Sequence, residues 1–135
     1  MHQIGTVAAL FRYPVKAMAG ERLDAIDVGF HGLDGDRRSA FVQSSDAPTR
    51  FPWLTIREVP ALTTYRAACT ADPAESAPPL VTTPDGAELP ATDPALRDEL
   101  AARHGGPVHL HRDYRGTQDA FPVSLMSLQT VDGLG

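Results

Sequence analysis

The chain has 135 residues, of which 42% are hydrophobic, and a formal net charge of −5. This length suits one domain, and the acidic balance argues against a general nucleic-acid binder, which needs a basic excess. No apolar run approaches the roughly 20 residues of a membrane span, and no signal peptide is recognisable. The single cysteine, Cys69, cannot form an internal disulfide, which agrees with a reducing compartment, so we expect a cytoplasmic protein.

The first half of the chain is typical of short strands divided by glycine and proline. Residues 4–13 predict a first strand, closed by Pro14. Residues 23–30 predict a second strand, and residues 38–43 a third. Between them, residues 31–36 predict a loop whose glycines can adopt a positive φ and whose aspartates can accept hydrogen bonds from nearby amides.

The second half continues this pattern of strands. Residues 62–69 predict a fourth strand, and residues 71–79, which carry three prolines, predict a mobile loop. Two short runs within residues 80–89 predict a hairpin, because the turn sequence Pro84-Asp85-Gly86 separates them. Residues 108–111 predict a further strand.

One segment carries clear signals for an α-helix. Thr92 or Asp93 can cap its start, Pro94 fits the first helical position, and Gly105 is a typical stop. A second, less marked helix that runs to residue 134 can be capped by Ser124 or Ser127.

These elements together predict a mainly β (α+β) fold. Six to eight short strands with few helices are typical of a small β-barrel-like domain. The helix at residues 93–104 would then be a single helical excursion from that domain.

The most informative feature for function is the use of lysine. Lys16 is the only lysine, whereas eleven positive charges are arginines. A lysine ammonium is a compact point charge on a flexible stem, and it can serve an anion where a planar guanidinium would not fit. The ordinary alternative is a surface charge, which is the commonest role of lysine.

Two further basic segments are candidate partners of Lys16. Arg37 follows the glycine–aspartate loop, and Arg50 follows Thr49 at a proline-rich corner. If Lys16, Arg37 and Arg50 converge, they form an anion pocket to which the Thr49 hydroxyl can add a hydrogen bond. The alternative is that the arginines pair with nearby carboxylates, namely Asp24, Asp34 or Asp36.

Other reactive side chains give weaker signals. His109 and His111 share one face of a predicted strand, but a zinc site would need one or two more ligands. Cys69 has no histidine nearby in sequence and fits a buried structural thiol better than a nucleophile. We therefore predict no catalytic residue and no metal ligand.

At its basic segments the chain resembles a known family. Residues Leu10–Lys16, Gly20–Glu21, Gly32–Arg38 and Thr49–Leu54 resemble the N-terminal β-barrel domain of MOSC proteins, which include the mitochondrial amidoxime-reducing component and its bacterial relatives. Residues Asp119–Leu128 resemble the opening of the MOSC domain proper. The resemblance implies a barrel domain over residues 1–118 and the truncated start of a MOSC-like segment over residues 119–135.

The resemblance also implies a cofactor. Family members hold a pterin–molybdenum cofactor between the two domains, and Lys16 and Arg37 match residues that grip its anionic part. Arg50 falls in an element near the same pocket, together with Thr49. Ala17 stands where relatives usually have a serine. The family's metal-ligating cysteine belongs to the part that this chain is expected to lack, and Cys69 does not match it.

The expected function is therefore an anion- or cofactor-docking module that is not catalytic alone. One alternative is an enzyme subunit that completes a molybdenum-dependent reductase or sulfur-transfer site with a MOSC-domain partner chain. Another is a scaffold remnant without activity. An exposed apolar patch within residues 121–134 would favour a partner chain.

Overall fold

The chain forms short strands and two α-helices in a computed structural model that describes residues 1–45, 49–70 and 77–134. The strands are β1 (Leu10–Arg12), β2 (Glu21–Leu23), β3 (Val28–Gly29), β4 (Gly32–Leu33), β5 (Ser39–Gln43), β6 (Arg66–Ala68), β7 (Leu80–Thr82), β8 (Glu88–Pro90) and β9 (Val108–Arg112). The α-helices are α1 (Pro94–His104) and α2 (Leu128–Leu134), and a 3₁₀-helix (Pro60–Thr64) precedes β6. The predicted mainly β, α+β class is confirmed.

The strands that the structure describes pair into four small antiparallel sheets. These are β1 with β2, β3 with β4, β5 with β9, and the three-stranded sheet β6-β7-β8. Isolated bridges join residues outside these sheets to two of the strands, namely Val15 to Ser39 and Trp53 to Val42 in β5, and Ala19 to Arg66 in β6. Within the described residues the strands do not close into one continuous ladder, so the domain is barrel-like and not a fully hydrogen-bonded barrel.

The core lies between β5, β9, α1, the 3₁₀-helix and the β6-β7-β8 sheet. Leu96 and Leu100 are fully buried and lie four residues apart, so they share the inward face of α1. Strand β5 is buried on both faces from Ser39 to Val42. The largest buried apolar side chains of the core are Phe41, Leu54, Leu62, Tyr65, Leu96 and Leu100.

The predicted caps of α1 are confirmed. The Asp93 carboxylate accepts a hydrogen bond from the Ala95 amide at 2.8 Å, and Pro94 occupies the first turn. Gly105 ends the helix in the left-handed region, with φ of 82°, and its amide donates to the Ala101 carbonyl. The predicted hairpin is confirmed as well, as β7 and β8.

Two strand predictions were wrong in extent. The first strand covers only Leu10–Arg12, because its partner β2 has three residues, and residues 1–9 are exposed and outside any strand. The strand expected from Leu62 begins only at Arg66. In the preceding 3₁₀-helix, the Thr63 and Thr64 hydroxyls donate to carbonyls three residues earlier, which favours the turn over an extended chain.

A third strand prediction was also wrong in extent. The strand expected over residues 23–30 divides into β2 and β3, which pair with different partners. Most of the loop expected over residues 71–79 lies outside the described residues.

The last helix is present and exposed along its whole length. The Ser127 hydroxyl accepts a hydrogen bond from the Thr130 amide at 3.1 Å, which caps α2 as expected. In the part of the chain that the structure describes, neither α-helix has the length and apolar character needed to cross a bilayer.

Tyr65 joins the 3₁₀-helix region to α1. Its ring is fully buried, its hydroxyl donates a hydrogen bond to the Glu99 carboxylate, and the Arg103 guanidinium lies 5.7 Å from the ring centre. Burial, followed by the hydrogen bond to Glu99 and its negative charge, raises the pKa of Tyr65 from 10.0 to about 12. The tyrosine therefore resists ionisation in the folded state.

This shift predicts a loss of stability at alkaline pH. Because the unfolded chain ionises Tyr65 at lower pH than the folded chain, the stabilisation is complete below pH 10.0 and is lost as the pH rises towards about 12. The free energy of unfolding, measured by urea denaturation, should fall less steeply over this range in Tyr65→Phe than in the unsubstituted protein. Tyr114→Phe, at an exposed position, should keep the original slope. Equal slopes in all three proteins would contradict the prediction.

Candidate functional site

The backbone before Lys16 is fixed against strand β5. Val15 is fully buried and bridges Ser39, and the Lys16 amide donates to the Ser39 carbonyl at 2.9 Å. The Lys16 side chain is consequently directed into the protein, and the residue is only 7% exposed. This burial argues against the ordinary reading of Lys16 as a surface charge.

The Lys16 ammonium contacts a segment about one hundred residues away in sequence. Its Nζ donates to the Thr117 carbonyl at 2.8 Å and to Asp119 Oδ1 at 2.7 Å. The side chain of Asp119 is 67% exposed, so this ion pair lies at the edge of the protein. An ammonium has three N–H donors, and two of them have acceptors among the described residues.

Arg37 is held in place by its buried neighbour. Asp36 is 2% exposed, and its carboxylate accepts from the Tyr13 amide through Oδ1 and from Arg37 Nε through Oδ2, both at 2.7 Å. The Arg37 backbone has φ of 48°, which is unusual for a side chain other than glycine. The other end of the guanidinium donates to the Pro122 carbonyl at 2.9 Å.

Lys16 and Arg37 line one cavity of about 460 Å³. The carboxylates of Asp36 and Asp119 belong to the same lining. Residues 117–124, which we call the covering segment, lie along one side and contact both cations, through Thr117, Asp119 and Pro122. Apolar groups complete the wall, among them Phe11, Met18, Leu33, Ile56 and Val123.

The other two predicted site residues lie elsewhere. Thr49 and Arg50 are exposed and are not part of the lining of this cavity. The Thr49 hydroxyl accepts a hydrogen bond from the Phe51 amide at 3.2 Å, which shapes the corner locally. The structure thus brings Lys16 and Arg37 together, while the role of Thr49 and Arg50 stays a prediction.

Two of the arginines also form the ion pairs with aspartates that the alternative predicted. Arg37 pairs with Asp36, and Arg38 pairs with Asp34 at 3.1 Å while its guanidinium lies 4.6 Å from the centre of the Tyr114 ring. Both alternatives therefore apply to Arg37. One edge of its guanidinium binds Asp36, and the residue also lines the cavity.

Sequence reasoning missed the acidic and carbonyl groups of the site. The sequence presents Asp36 only as a possible ion-pair partner, and it singles out neither Thr117 nor Asp119 as a site residue. A local signal existed for Asp119, since it opens the stretch that resembles the start of a MOSC domain. No local pattern links it to Lys16, from which it is 103 residues distant.

The two histidines of β9 contact neighbouring side chains, and the cysteine is partly buried. His109 Nδ1 lies 2.7 Å from the Ser44 hydroxyl, and the His111 ring lies 5.6 Å from that of Trp53. Burial raises the pKa of the Cys69 thiol, as expected for a structural cysteine. Over residues 1–45, 49–70 and 77–134, no group of three or more histidine, cysteine or carboxylate side chains could hold a metal ion.

The fold and the cavity define a small, mainly β domain with two cations at one recess. A family model, the MOSC N-terminal beta barrel domain, matches residues 4–113. The chain belongs to this family. No curated protein and no solved structure gave a significant match.

Proposed function

We propose that this domain is a docking module for an anionic group, with Lys16 and Arg37 as its two cations. The ligand proposed is the phosphate of a pterin–molybdenum cofactor, in keeping with the family to which the chain belongs. The domain binds and orients this group and is not catalytic alone. Its chemistry is that of a lysine point charge beside a guanidinium fork, which together suit a phosphate.

The observation that carries this proposal is the burial of Lys16. A buried ammonium needs anions, carbonyls or dipoles in place of its lost hydration. Thr117 and Asp119 supply acceptors for two of the three N–H groups of Lys16. Lys16 is 7% exposed and nevertheless lines the same cavity as Arg37, 24% of whose side chain is exposed. A phosphate entering this cavity would contact both cations without a rearrangement of strand β5, against which the Lys16 backbone is fixed.

The residues present fit one end of the cofactor. Lys16 and Arg37 would hold its phosphate, and the bound cofactor would supply oxygen- or sulfur-transfer chemistry at its metal. Among the described residues, the side chains that line the cavity include no thiolate to ligate molybdenum, and Cys69 is outside the lining. The proposal therefore assigns the phosphate to this domain and the metal to a MOSC domain that packs against it.

A second candidate function is that of an enzyme subunit that completes a site with such a partner. The observation that favours it is the exposure of large apolar side chains after the barrel. Such a surface is costly in water and commonly marks an interaction site. The exposed side chains are Phe121, Leu125, Met126, Leu128, Val131 and Leu134, with exposures between 48% and 89%.

A titration with phosphate and pyrophosphate, followed by ¹⁵N NMR, tests the docking proposal. Amide shifts should cluster at Lys16 and Arg37, and Lys16→Ala should weaken the affinity about tenfold or more, as expected for the loss of one charge-assisted contact. Arg97→Ala is the matched control, because Arg97 lines a different cavity and its loss should leave the affinity unchanged.

The same titration decides the extent of the site. Shifts at Thr49 and Arg50, together with weaker binding in Arg50→Ala, would add these two residues to the pocket. Shifts spread evenly over the arginines, or equal affinities in Lys16→Ala and Arg97→Ala, would overturn the proposal.

A further inference from the structure

The candidate site carries its own counter-charges. Two cations, Lys16 and Arg37, are paired with two carboxylates, Asp119 and Asp36, so the four groups together are neutral. A neutral recess has little attraction for a free anion, because the Coulomb terms of the four groups oppose one another. An anion can therefore interact favourably with both cations only if one carboxylate moves away from its cation.

The two carboxylates are not equally free to move. Asp36 is 2% exposed and is fixed by the Tyr13 amide and by Arg37. The Asp119 side chain is 67% exposed, and its contact with Lys16 lies at the edge of the protein. Because the Asp119 carboxylate already contacts water, it would not be left as an unsolvated charge on parting from the buried Lys16 ammonium. The carboxylate that an incoming anion can displace is therefore that of Asp119.

The chain just before Asp119 is anchored. The amide and the hydroxyl of Thr117 both donate to the Arg37 carbonyl at 2.7 Å, and Thr117 is 3% exposed. The Thr117 carbonyl also accepts from Lys16. If the carboxylate of Asp119 swings away, the ammonium keeps this carbonyl and its position, and the covering segment can move only beyond residue 117.

We propose that Asp119 is an internal competitor for the anion site, which a phosphate-bearing ligand displaces from Lys16. This inference rests on the proposed docking function. The exchange selects for multiply charged anions, since replacing one carboxylate by another gains no charge at Lys16. Displacement frees residues 119–121, which lie between the anchored Thr117 and the Pro122 carbonyl that Arg37 binds. Occupancy of the site is thereby coupled to the conformation of the chain just before the exposed apolar residues.

Asp119→Asn tests the competition with the full chain. The amide keeps an oxygen that can accept from Lys16 but removes the negative charge that an incoming phosphate must replace. We expect inorganic phosphate to bind about three- to tenfold more tightly to this variant than to the unsubstituted protein, because the negative charge that competes with phosphate for Lys16 is removed. Asp24→Asn is the control, because Asp24 is exposed and outside the cavity lining, and it should bind phosphate with unchanged affinity.

A second readout follows the covering segment. On addition of phosphate to the unsubstituted protein, the heteronuclear ¹⁵N NOE of residues 119–121 should fall, while that of Thr117 stays high. In Asp119→Asn the NOE of these residues should be lower than in the unsubstituted protein before phosphate is added, because an amide oxygen binds the ammonium less strongly than a carboxylate does. The urea midpoint of the variant should match that of the control, which excludes a general loosening of the fold.

The outcomes separate the two proposals. If Asp119→Asn and the unsubstituted protein bind phosphate at Lys16 with equal affinity, the competitor role is wrong and the docking function stands. If the variant binds more weakly, Asp119 belongs to the binding site and the inference is overturned. If neither protein shows phosphate-dependent shifts at Lys16 and Arg37, the docking function itself fails.

Discussion

Gly20→Ala is expected to destabilise the domain by about 3 kcal/mol, near the upper end of the cost of overpacking. A Cβ at position 20 would lie 2.2 Å from the Arg12 carbonyl oxygen and 2.7 Å from Tyr13 Cδ1. The first of these neighbours is backbone, so β1 must shift to make room. That shift would disturb the pairing of Arg12 with Glu21, which join β1 to β2 through both the ladder and an ion pair.

The effect can be measured by urea-induced unfolding, followed through the fluorescence of Trp53, the single tryptophan. Gly29→Ala is the matched control, because a Cβ at position 29 would meet no atom within 4 Å. Its unfolding free energy should stay within about 0.5 kcal/mol of the original value. A Gly20→Ala protein as stable as this control would show that the close contact with Arg12 is absent in solution.

Elements with strong local signals were predictable from the sequence. Helix α1 has a capping carboxylate at Asp93, a proline at the first position and a glycine stop at Gly105, each of which acts within one turn. The hairpin of β7 and β8 has a turn sequence between two short apolar runs. In both cases the interactions that define the element lie within a few residues, so the sequence contains the required information.

Elements whose limits depend on distant partners were not predictable. The apolar run of residues 4–13 has the composition of a strand, yet only three of its residues pair, because β2 offers three partners. The threonines at positions 63 and 64 have β-strand propensity, but their hydroxyls instead bond to preceding carbonyls in a 3₁₀-helix. Propensity describes a residue's preference, whereas the partner determines where a strand ends.

Only part of the candidate site was predictable from the sequence. Lys16 and Arg37 stood out by residue type and by their loops, and the structure places both at one cavity. The groups that counter their charges come from a segment 101 to 103 residues from Lys16 and from a neighbouring aspartate whose burial the sequence does not reveal. Charge balance at a site is a property of the folded chain, and it determines whether a cation is available to a ligand.

Asp36→Ala is expected to cost about 3 kcal/mol in the free energy of unfolding, since it removes one partner of a buried charge pair. The carboxylate is 2% exposed and satisfies both the Tyr13 amide and Arg37 Nε. Without it, an amide loses its acceptor and a guanidinium that is 24% exposed loses its counter-charge. Water can reach the guanidinium in part, which keeps the expected cost at the lower end for buried pairs.

Asp34→Ala provides the comparison, because Asp34 lies two residues earlier in the same loop and also pairs with an arginine. Its side chain is 38% exposed and contacts Arg38 at 3.1 Å, so its loss should cost less than about 1 kcal/mol. Urea denaturation of both variants measures the difference directly. Similar losses for the two aspartates would mean that the carboxylate of Asp36 is solvated in solution, and that Arg37 is not held at the cavity by a buried charge.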